Sequence, residues 1–136
     1  PAAPPVALFA DEVRSAVAVG DVVGVLSALL RADLHQVCAG EGEEGVRAFN
    51  LGGPRPLSRV DMGLVVCRLR GYGEERVEAS LRSEQAMGFE SPLNITMLSD
   101  DLFAQGWVRA ALPSGATDFE QAARDAFQTD LSRNTK

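Results

Sequence analysis

One stretch constrains the fold more than any other: "MGLVVCRLRGYGEERVEASLRSE", residues 62–84. Its first half, "GLVVCRLR" (63–70), is rich in β-branched residues. Read as a strand, it places Val65, Cys67 and Leu69 on one face and Leu64, Val66, Arg68 and Arg70 on the other. Its second half reads two ways. As a strand, Val77, Ala79 and Leu81 alternate with Glu78, Ser80 and Arg82, and Gly71-Tyr72-Gly73 is a hairpin turn. As a helix, Val77 and Leu81 lie one turn apart, residues 74–87 are mostly good helix formers, and Gly88 is the stop. Periodicity favours the strand and propensity the helix, so both stand at this level.

The flanking sequence supplies the other elements. Residues 1–5 are a Pro/Ala tail and residues 6–133 a single domain, since 136 residues suffice to bury a core without disulfides or metals. Phe9, Val13 and Val17 recur at helical spacing and predict a first amphipathic helix. Gly20-Asp21 reads as a stop and an N-cap for a second, centrally packed helix carrying Val22, Val25, Leu26, Leu29 and Leu30. "VRAFNL" (46–51) and "LNITML" (93–98) read as strands, and "FAQGWVRAAL" (103–112) as the strand closing a hairpin over "SDD". Thr117-x-x-Glu120 is a capping box for a C-terminal amphipathic helix through Phe119, Ala123, Phe127 and Leu131. The expected class is α+β. Its antiparallel sheet has four to five strands, with two N-terminal helices, a C-terminal helix and, in the helical reading of 74–84, a middle helix.

Charge narrows the function. A net charge of −6 and a pI near 4.7 argue against nucleic acid and anionic membranes as partners. The chain has no run of about 18 apolar residues to span a bilayer. "PAAPPVALFADEV" lacks the basic and long apolar regions of a secretory signal, and two cysteines make no disulfide framework, so a reduced, cytoplasmic protein is expected.

Reactive groups are sparse. His35 and Cys38 could share a helix face, but zinc wants four ligands and only Cys67 remains among the cysteines. Glu41, Glu43 and Glu44 lack the calcium-loop pattern, and Gly71-x-Gly73 lacks the rest of a phosphate loop. No catalytic, cofactor or metal residue is therefore assigned, and a non-enzymatic role is preferred.

The stretch from "LVVCRLRGYG" through "ALPSGATDFEQAARDAF" resembles the type III secretion class I chaperone family. The resemblance implies an α-βββ-α-ββ-α fold, a homodimer, and a secreted effector's segment held in extended form. It would place partner contacts on Val46, Ala48, Val65, Cys67 and Leu69. Val77, Leu81, Leu93, Ile95 and Met97 would form the dimer interface. Independently of the resemblance, Trp107 is a candidate partner contact if exposed, because Trp is enriched at interaction hot spots. Two rivals remain. "VAVGDVVGVLSALL" resembles the Gly-Asp helix junction of the nuclear-transport-factor-2-like superfamily, implying a ligand-binding or enzymatic pocket. A structural or assembly protein, for instance viral, would bury the same apolar faces against its neighbours.

Overall fold

The computed structural model describes residues 4–33, 37, 47–85, 88 and 92–133, with side chains described as far as residue 129. Its first two elements are strands, β1 (Val6–Phe9) and β2 (Val13–Arg14). This corrects the expected first helix. A spacing of four suits a period of two as well as a helical turn, so Phe9, Val13 and Val17 are equally consistent with extended chain. Pro4 and Pro5 just ahead also favour extended backbone.

Helix α1 (Val19–Arg31) follows, with Ala18 as its N-cap residue. The expected cap, Asp21, instead sits in the first turn and is 4% exposed. Its carboxylate accepts the Thr117 backbone N–H at 2.6 Å and the Thr117 hydroxyl at 2.8 Å. Such charge-assisted bonds are worth more than neutral ones. They tie the start of α1 to the segment leading into the last helix.

"GLVVCRLR" is helical, within α2 (Arg59–Arg70), which follows the short β3 (Leu57–Ser58). The strand reading fails here because the ends decide the matter. Ser58 Oγ accepts the Asp61 N–H at 3.1 Å, and Asp61 Oδ2 accepts the Ser58 N–H at 2.8 Å, a complete capping box. At the other end Gly71 takes φ 69°, the left-handed turn that stops a helix, and the Tyr72 N–H bonds the Cys67 carbonyl. Val65 and Cys67 are buried in α2, and Leu69 is half-buried, so they form no sheet face.

Residues 74–84 contain β4 (Val77–Ser80) between two short 3₁₀ turns. The strand reading holds for this centre, but its partner is not residues 63–70. β4 pairs parallel with β1, Val6 opposite Val77 and Phe9 opposite Ser80. In place of the expected single antiparallel sheet, the described residues form two small ones. β1–β4 is parallel, while β2 lies between antiparallel β3 and parallel β5 (Asn94–Ile95). "FAQGWVRAAL" forms no hairpin strand. Asp100-Asp101 opens helix α3 (Asp100–Phe103), where acids suit the dipole, and α4 (Gly106–Ala111) follows. The described part of 46–51 is not a strand either.

The C-terminal helix α5 (Phe119–Arg133) is where the sequence places it. Asp118 rather than Thr117 serves its first turn, accepting the Glu120 N–H at 3.0 Å. The fold is α+β. Its core cluster is Val25, Leu102 and Val108, ringed by Phe49, Leu51, Phe103, Trp107 and Leu112. A second packing zone sets α2 against β1, β4 and α5, where the Arg70 guanidinium lies 4.9 Å from the Phe127 ring centre.

Removing the Asp21 carboxylate leaves Thr117 without either acceptor. Urea denaturation of Asp21→Ala is expected to show a loss of about 2–4 kcal/mol. A loss below about 0.5 kcal/mol, the range of an ordinary surface substitution, would refute this tie.

Candidate binding groove

An apolar concavity lies between α2 and the β1–β4 pair, a groove of about 490 Å³. Pro4, Val6 and Leu8 enter it from one side, as alternate residues of an extended chain must. Met62, Val66 and Cys67 enter from α2, Val77 from β4, and Tyr72 and Arg76 from the connection between them. Gly63 sets its floor: a methyl group there would sit 2.5 Å from Leu8 Cδ1 and 3.3 Å from Val77 Cγ2. Only the missing side chain lets α2 come this close without displacing Leu8.

Two guanidinium groups flank the groove and differ electrically. Arg59 Nε donates to Glu12 Oε2 at 3.0 Å, and Glu12 also binds Arg14 at 2.7 Å. The Arg59 hydrogen bond, with the nearby positive charges of Arg14, Arg59 and Arg82, pulls the Glu12 carboxyl below its ordinary range. Arg76 lies 5.7 Å from the Tyr72 ring centre and has no carboxylate partner among the described residues. Arg59 is therefore held by a carboxylate it shares with Arg14, whereas Arg76 has no such tie among the described residues.

Asp11 fastens the far end of the sheet. Its carboxylate accepts the backbone N–H of Arg82 at 2.7 Å and of Ser83 at 2.9 Å, just beyond β4. The Ser83 bond is the largest cause that lowers its pKa to about 2. The Ala10 N–H also donates to the Ser80 carbonyl. Because successive amides of a strand face opposite edges, those of Ala7 and Phe9 point away from β4. No described strand pairs with that outer edge.

The residues singled out in the sequence are dispersed. Cys67 and Val77 meet in the groove. Val65 is buried, Leu69 half-buried, and Ala48 exposed on the segment before β3. Trp107 packs edge-on against Phe49, with ring centres 6.2 Å apart, and its buried indole N–H has no partner among the described residues. Leu81, Leu93, Ile95 and Met97 are exposed, the last three at and beside β5 rather than with Val77. Val46, His35, Cys38, Glu41, Glu43 and Glu44 lie outside the described residues. Among the described residues no cluster of His, Cys, Asp and Glu could hold a metal, and no helix is long and apolar enough to cross a membrane.

Sequence reasoning missed Pro4, Val6, Leu8, Met62, Val66, Tyr72 and Arg76. Two signals were there to be used: alternation in "PVALF" after a proline pair, and Ser58-x-x-Asp61 as a helix start. No protein-family model, curated protein or solved structure matches the chain.

Two expectations follow from this geometry. The Asp11 carboxyl titrates lower in the folded than in the unfolded chain, so its contribution is complete above the unfolded pKa near 3.8 and fades as pH falls towards about 2. The stability difference between the native chain and Asp11→Asn should be constant from pH 5 to 7 and shrink below about pH 4; a difference that grew on acidification would contradict it. Trp107→Phe keeps the ring contact and removes the unpaired N–H, so it should change stability by less than about 1 kcal/mol, against about 3 kcal/mol lost in Trp107→Ala. Equal losses in thermal or urea unfolding would show that the N–H, not the ring, matters.

Proposed function

We propose that this chain is a protein-binding module that takes up an extended, apolar segment of another protein along the outer edge of β1. The observation that carries this reading is the coincidence of a free edge with a groove lined by the alternate residues of that same strand. An added strand satisfies its backbone on the amides of Ala7 and Phe9, and every second side chain enters the apolar trough. Main-chain bonds supply affinity and the trough selects side chains. Arg76, with no carboxylate partner among the described residues, favours an acidic residue at that end of the bound segment.

A secretion chaperone is the sharpest form of this reading, since such proteins hold their cargo extended. The support is the edge and the groove rather than the order of elements, because the order among the described residues runs β-β-α-β-α-β-β-α-α-α instead of α-βββ-α-ββ-α. The groove volume also suits a small amphipathic anion. The free strand edge alongside it favours the peptide.

The test is selection from a displayed library of random peptides, followed by affinity measurement on Val66→Trp, which fills the trough. Enrichment of alternating apolar sequences, bound at least about tenfold more weakly by Val66→Trp, is the expected result, equivalent to about 1.4 kcal/mol. Peptides with no alternation, or bound equally by the filled variant, would reject the proposal.

A further inference from the structure

Helix α1 is apolar around nearly its whole circumference. Its inner side carries buried Val25 and Ala28 and packs on α4. Its outer side shows Val19, Val23, Leu26 and Leu30 at 77%, 56%, 53% and 86% exposure. Within "VGDVVGVLSALLR" the only charged side chains are Asp21, which is turned to Thr117, and Arg31 in the last turn. A helix without a polar side is normally covered on all sides.

The outer residues are spaced four, three and four apart, the spacing of a coiled-coil seam. That spacing is the same read from either end. A two-fold axis between Val23 and Leu26 would set Val19 against Leu30 of a second copy and Val23 against its Leu26. Each contact then matches a β-branched side chain with a longer one. Contacts of this isologous kind need a self-complementary patch, and this seam is one.

From this self-complementary spacing we propose that α1 pairs antiparallel with α1 of a second copy of this chain. The occupant is chosen by charge as well as by spacing. In a chain of net charge −6, an uncharged seam is a place where two copies can meet without opposing carboxylates. An apolar crevice of about 280 Å³ borders Leu26, lined by Leu29, Phe49 and Trp107 among others, and receives the neighbour's side chain as a hole receives a knob. The seam is short beside the roughly 20–30 residues a side of a standard interface, so the dimer is a weak, reversible one. This pairing uses neither the groove nor β1, so it stands or falls independently of the peptide reading.

Sedimentation velocity of the chain across micromolar to millimolar concentration is expected to show monomer giving way to dimer, and Leu26→Glu and Leu30→Glu to remain monomeric with unchanged circular dichroism. Orientation is read by mixing Val19→Cys with Leu30→Cys under mild oxidation. The mixture should yield a disulfide between positions 19 and 30 by peptide mapping, and neither variant alone should link to itself at the introduced position. A native chain monomeric at every concentration, dimers indifferent to both glutamates, or self-linking of Val19→Cys would overturn the proposal.

Discussion

The close approach of α2 to the β1–β4 pair at Gly63 is the constraint on which the groove depends. A methyl group at that position would push aside the end of the Leu8 side chain and crowd Val77. Alanine in a helix is worth about 1 kcal/mol more than glycine, so an unconstrained helix would not choose glycine there. The position gives up helix propensity to gain proximity. The capping box of Ser58 and Asp61 and the left-handed Gly71 then fix where α2 begins and ends, and so which of its residues face the strands.

A second theme is how little of the apolar surface this fold buries. Among the described residues seven hydrophobic side chains are buried, while eleven large ones are more than a third exposed. Single exposed apolar residues need no explanation, but ordered rows of them do. One row runs along α1 at seam spacing, another, Leu93, Ile95 and Met97, accompanies β5, and exposed Val6 stands beside half-buried Leu8 at the groove. Among the described residues the two small sheets also leave strand edges unpaired. In a larger sheet those edges would be internal; here they are places where another chain can pair.

How much of this was legible in the residues depends on which force shaped each element. The C-terminal helix and the body of α1 were readable because their apolar spacing and helix-forming composition agree. The class, α+β, was readable for the same reason. α2 was misread because Val65, Val66 and Cys67 suit a strand by local preference, whereas its ends and its packing make it a helix; Ser58-x-x-Asp61 carried that information and outweighs β-branching. β1 and β4 were hard to see because they pair across some seventy residues, and neither alternation nor propensity in either segment announces a parallel partner. For the site, Cys67 and Val77 were found for other reasons and Leu8, Met62 and Arg76 were not, since a groove formed by three separate segments is a property of their packing.

Amide hydrogen exchange at Ala7 and Phe9 tests the central claim most directly. With a selected apolar peptide bound, both amides should slow markedly while those of Ala10 and the α1 interior stay as they are in the free chain. Unchanged exchange at Ala7 and Phe9 in a saturated complex, with protection elsewhere, would show that the outer edge of β1 is not where a partner strand binds.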